Sequence, residues 1–180
     1  MSIFGNYKDD EIAVPAIITE DVFHYAVHEG LAFSASTYHA TADQYMCFTT
    51  PNTTSYLHLL WHISAEHNTL LNIWEGVTAG GSSADQIVYA KNRGALMNGR
   101  AASAVLAGNS ATVGSVQVGQ AFTGGTQLNP QGDFAAKGGG AAEASHEYVL
   151  EKNTTYGFHL DNIEGKDAGM TLTWFEIPLA

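Results

Sequence analysis

Hydrophobic residues along this chain recur mostly at every second position, in short runs separated by turn residues. Residues 44–49 make one such run, and Thr50-Pro51-Asn52-Thr53-Thr54 supplies turn chemistry behind it. Over residues 56–64 a strand period puts Leu57, Leu59, Trp61 and Ile63 on one face and Tyr56, His58, Leu60 and His62 on the other. A helix would instead gather Leu57, Leu60, Trp61 and Ser64, so both periods fit this stretch. Residues 69–75 read as a strand beyond a turn near His67-Asn68, and the two segments together read as a hairpin. After Gly80-Gly81-Ser82-Ser83 a further short strand is expected at 86–89.

Near the C-terminal end, residues 147–150 and 155–160 flank turn residues, and Tyr156, Phe158 and Leu160 share a face. The clearest alternation is Met170-Thr171-Leu172-Thr173-Trp174. Upstream, between Ile12 and Phe33, the alternation comes in patches. It sets Val22, His24, Ala26 and His28 against Phe23, Tyr25 and Val27, as in a strand.

The remaining stretches are different. Residues 94–145 are dominated by Ala, Gly, Ser and Thr, with Gly-Gly at 124–125 and a glycine run at 138–140. That is too long for an ordinary connection, so short edge strands and long loops are expected. The first fourteen residues lack a period and read as an N-terminal arm, with Phe4 and Tyr7 as candidate anchors. The whole pattern predicts an all-β chain, an antiparallel β-sandwich of jelly-roll-like form, with one domain over 15–180. Trp61, Trp74 and Trp174 are the expected core tryptophans.

Charge and composition narrow the function. The formal net charge of −11 repels phosphate backbones and argues against nucleic-acid binding. No basic start leads into an apolar run, and no stretch approaches the ~20 apolar residues of a membrane helix. The single cysteine, Cys47, excludes an internal disulfide; in its apolar surroundings it reads as a buried, inert thiol.

Eight histidines raise the question of a metal site. His58 and His62, like His24 and His28, are four residues apart. On a helix such a pair stacks and can share an ion; on a strand it is separated by about 13 Å and cannot. His-x-His does not occur, so a cupin-like metal enzyme is the least favoured reading. Gly80-Gly81-Ser82-Ser83-Ala84 lacks the final glycine of a nucleophile elbow. The 138–140 glycines precede no helical pattern, so they are not a dinucleotide fingerprint. Asp9-Asp10 belongs to the charged arm. No enzyme activity is expected.

A series of short motifs, taken in order, resembles capsid decoration (cement) proteins among the virion structural proteins of tailed bacteriophages. It runs from His28-Glu29-Gly30 with Phe33, through Phe48-Thr49-Thr50-Pro51, to Ile73-Trp74-Glu75 leading into Gly80-Gly81. Lys91-Asn92-Arg93, Arg100, Gly125-Thr126 and the 138–140 glycines follow. The series closes with the segment from Glu147 to Tyr156, Asp161-Asn162, and Leu172-Thr173-Trp174-Phe175-Glu176. The resemblance implies a β-rich homotrimer on the outer surface of a virion capsid, assembled in the host cytoplasm and clamping neighbouring copies of the major capsid protein. It implies no cofactor, no metal, no nucleic acid and no membrane. Phe4, Tyr7, Asn92, Arg93 and Arg100 are the partner-binding residues expected on this reading. A tail, baseplate or fibre module is the alternative, with a structural or glycan-binding role, and Tyr38, His39 and Asp43 form its candidate cluster.

Overall fold

The computed structural model describes residues 3–5, 16–18, 22–37, 40–52, 55–80, 84–85, 88–91, 117–118, 121–129, 133–135, 141–143 and 147–178. In chain order these residues form β1 (Ile3–Gly5), β2 (Ala16–Ile18), α1 (Val22–His28), β3 (Ala32–Ser36), β4 (Gln44–Thr49), β5 (Ser55–Ala65), β6 (Thr69–Glu75), β7 (Ala84–Asp85) and β8 (Tyr89–Ala90). They continue with β9 (Gln117–Val118), β10 (Thr126–Gln127), β11 (Asp133–Ala135), β12 (Ala141–Glu143), β13 (Tyr148–Leu150), β14 (Thr155–Asp161) and β15 (Ala168–Pro178).

Two antiparallel sheets pack face to face, as an all-β sandwich requires. The first has the order β10-β6-β14-β4-β9-β7, with β11 also on β6. The second has the order β12-β5-β15-β3-β8, with β13 also on β5. Its spine is the β5–β15 ladder, which runs from Ala65 opposite Ala168 to Ser55 opposite Pro178. β1 and β2 pair with each other in a separate two-stranded ladder, Phe4 opposite Ile17. The described strands between 94 and 145 are all short: β9, β10, β11 and β12.

The inner faces follow the period-2 pattern. Met46, Phe48, Leu71, Ile73, Tyr156, Phe158 and Leu160 from the first sheet meet Phe33, Leu57, Leu59, Trp61, Ile63, Met170, Leu172 and Trp174 from the second. Fully burying one such side chain is worth ~1.5–3 kcal/mol, so this interdigitated layer is what holds the sheets together. Aromatic rings bridge the two layers: Phe48 stacks on Trp174 at 5.8 Å and on Phe158 at 5.6 Å between centroids.

Three local expectations need correction. β5 and β6 are not a hairpin; they lie in opposite sheets. Both strands turn their apolar alternates inward, and Glu66-His67-Asn68 carries the chain across the sandwich so that the two sets share one core. Residues 22–28 are a helix, not a strand. Phe23, Ala26 and Val27 have the three-and-four spacing of a helix face, and they pack with Leu31, Leu60, Ala32 and Phe175 on the outer side of the second sheet. Its end is a Schellman motif: Leu31 N donates to Ala26 O at 2.8 Å and Gly30 N to Val27 O at 3.0 Å. Gly30 makes that geometry possible with φ 74°. Finally, Trp61 and Trp174 are buried, but Trp74 is only half-buried. It follows Ile73 by one residue, so the strand period turns it to the outer face.

Candidate functional site

The residues expected to bind partners are only partly placed. Phe4 lies in β1, while Tyr7, Asn92, Arg93 and Arg100 lie outside the described residues. Of the candidate glycan cluster, Tyr38 and His39 also lie outside them; Asp43 is described and exposed. In the expected strand at 86–89, Tyr89 opens β8 and Val88 precedes it; Gln86 and Ile87 lie outside the described residues.

The histidines divide by element. His58 and His62 sit on β5, where the strand rise keeps them apart. Three histidines instead pin connecting segments to the frame. His58 Nδ1 is 3.1 Å from Glu147 Oε1, ahead of β13, and its ring stacks on Phe175 with centroids 4.7 Å apart. His67 Nδ1, in the β5–β6 turn, is 2.9 Å from Glu164 Oε2 in the β14–β15 turn. Both contacts have ionic distances without the alignment of a hydrogen bond. His159 Nε2 meets Asp43 Oδ2 at 3.2 Å with hydrogen-bond geometry. Such partly exposed pairs are worth ~0–1 kcal/mol each, so they select loop positions more than they stabilise the fold. Among the described residues, no three His, Cys, Asp or Glu side chains cluster to hold a metal ion.

The outer face of the first sheet carries an aromatic platform. The Tyr45 and His159 rings are parallel within 4° and stacked at 4.4 Å. Phe122 stands edge-on to Tyr45 at 6.0 Å and inclined to Trp74 at 6.5 Å. Gly157 makes room for it, since a Cβ there would come within 2.6 Å of the Phe122 ring. Asn72, opposite His159, accepts a hydrogen bond from Gln127 Nε2 at 2.8 Å and adds an amide to the same face. Burial, and then the nearby Asp43 and Asp161 carboxylates, raise the Tyr45 hydroxyl above its ordinary pKa. Rings beside amide and carboxylate groups can stack on apolar faces while hydrogen-bonding hydroxyls at their edges.

The loop carrying Phe122 is built to lie flat. Thr78 and Thr123 exchange backbone hydrogen bonds of 2.9 and 3.0 Å. Gly125 then turns with φ 85°, where a Cβ would strike Glu75 O at 2.7 Å. Beyond β10, the Asn129 side chain acts like a strand partner. Its Oδ1 accepts from Ile73 N at 2.7 Å, and its Nδ2 donates to Leu71 O at 2.8 Å.

One end of the sandwich is closed by a hydrogen-bonded corner. The Tyr156 hydroxyl accepts from Glu151 N at 2.8 Å and donates to Glu75 Oε2 at 2.7 Å. Thr50 Oγ1 donates to Glu151 O and accepts from Thr154 N at 2.9 Å, and Thr49 and Thr155 join hydroxyls at 2.8 Å. Burial first, and then the Glu75 hydrogen bond, hold the Tyr156 hydroxyl well above the ordinary tyrosine value of 10.0. At the other end Asn162 binds Ala40 O through Nδ2 at 3.1 Å and Asp43 Oδ1 through its backbone N at 3.0 Å. Cys47 is buried, and burial pushes its thiol pKa up, which suits an inert packing group.

Comparison with protein-family models, curated proteins and solved structures finds no match. Among the described residues, no helix is long and apolar enough to cross a membrane.

Proposed function

We propose that this chain is a virion structural protein that decorates a phage capsid, bridging neighbouring major capsid subunits on its outer surface, most simply as a homotrimer. The observation that carries the reading is the ordered motif series and where its described members fall. Phe48-Thr49-Thr50, Ile73-Trp74-Glu75 and the segment from Glu147 to Tyr156 are far apart in sequence, yet meet in the Tyr156–Glu75–Thr50 corner. His28-Glu29-Gly30 closes α1, and Asp161-Asn162 closes the opposite end. These described members thus coincide with hydrogen-bonded joints of the fold, which suits a part that clamps other subunits.

The outer faces and the N-terminal residues are then the adhesive surfaces. Many copies of a modest contact give strong retention on a shell through avidity, without any reaction chemistry. Quantitative mass spectrometry of purified particles tests the proposal. About one copy per capsid subunit, or per few subunits, supports shell-wide decoration. Absence from particles overturns the virion reading. Deleting residues 1–14 is expected to weaken retention on capsids while the sandwich stays folded; unchanged retention removes the arm from the mechanism.

The aromatic platform favours a second reading, a tail or fibre module that binds glycans. A handful of copies per particle, with glycan-array binding lost on Tyr45→Ala, would select it over decoration.

A further inference from the structure

The helix correction brings together two imidazoles that a strand would have separated. His24 and His28 lie one turn apart on the exposed side of α1, with Nε2 atoms 3.0 Å apart and ring centroids 4.5 Å apart. Imidazoles at that distance share a proton in an N–H···N bond, and with the protons on Nδ1 both Nε2 atoms can instead serve one ion. At metal–nitrogen bonds of ~2.0–2.1 Å, nitrogens 3.0 Å apart subtend about 91–97° at a shared metal, close to the cis angle of a tetragonal or octahedral centre.

We propose that His24 and His28 form a two-imidazole chelate for a divalent transition ion of the copper(II)–nickel(II) class. Imidazole nitrogen suits these ions, and copper(II) stands highest in the divalent affinity order. Both rings then bind through Nε2, with the ring proton on Nδ1.

The chelate is preorganised. The Schellman motif fixes the end of the helix beside His28, and Phe23 anchors the first turn edge-on against Phe175 at 5.6 Å. The helix therefore holds the spacing before any ion arrives, and the second nitrogen binds intramolecularly. The proposal is independent of the capsid reading, since it rests on α1 alone.

The test is copper(II) titration of the full chain by calorimetry, with electron paramagnetic resonance of the 1:1 sample. Wild type is expected to bind one equivalent with two nitrogen ligands in the spectrum. His24→Ala and His28→Ala should each weaken binding about tenfold or more, because each leaves a single imidazole where two acted together. His67→Ala, in the β5–β6 turn, should leave it unchanged. Both substituted side chains are exposed, and circular dichroism checks that the fold persists. Equal affinity in wild type and both α1 variants, or no equimolar ion in wild type, would overturn the proposal.

Discussion

The two sheets finish their outer faces in opposite ways. On the second sheet α1 lies across Phe175, Leu60 and Ala32, and an apolar patch is closed by the chain's own helix. On the first sheet a single ring, Phe122, lies over Gly157, and the surrounding Tyr45, His159 and Trp74 remain half-buried. On the helix side one patch is sealed by packing while Tyr56, Tyr89 and Val149 stay exposed elsewhere on the face; the first sheet is dressed with half-buried rings that keep an open side. The packing beneath α1 therefore contributes stability, while the ring side offers stacked aromatic faces for contact.

Substitutions can break this contrast. Phe175→Ala should have the largest effect. Phe175 is 1% exposed and supports both Phe23 and His58, so its loss is expected to cost ~3–5 kcal/mol and to release α1. Thermal unfolding with helix-sensitive circular dichroism checks it, and a loss below ~1 kcal/mol would mean that the helix is not a seal.

Tyr156→Phe comes next and tests the corner that closes one end of the sandwich. It removes a hydroxyl held by Glu151 and Glu75, at an expected ~1.5–3 kcal/mol in denaturant unfolding. The same hydroxyl has a raised pKa in the fold, so it favours the folded state fully below its unfolded value near 10 and loses that contribution as pH rises through the folded value. The wild type should accordingly lose stability above about pH 10, and Tyr156→Phe should flatten part of that decline.

The smallest effect belongs to the open face. Gly157→Ala places a methyl group against Phe122 and should displace the ring at a cost of ~1–2 kcal/mol, with a red-shifted Trp74 emission. In a Phe122→Ala background the same change should cost about nothing, because the obstacle is gone. Equal costs in both backgrounds would show that Phe122 is not what the glycine accommodates.

The sequence made the inner faces of β4, β5, β6, β14 and β15 legible because a strand's alternation is local. It could not say which sheet a strand joins. Period 2 assigns a face and not a neighbour, so β5 and β6 read as a hairpin when they cross the sandwich. In residues 22–28 alternation and a helical stripe share most of their apolar positions, and Gly30 is the helix stop signal that separates the two. For the candidate site, Asp43 could be named from sequence, but its partner His159 lies on a distant strand. The Phe122–Gly157 fit is similarly non-local, since a glycine in a strand shows that something approaches without showing what.

The Asn129 clamp has a bearing on how the protein ages. Deamidation would replace its amide with a carboxylate, removing the donor to Leu71 O and setting negative charge against that carbonyl. The usual route begins when the next residue's backbone nitrogen, after giving up its proton, attacks the side-chain carbonyl. Here the next residue is Pro130, whose ring nitrogen carries no proton to give. The amide that stands in for a strand along β6 is thus shielded from the commonest chemical decay of asparagine.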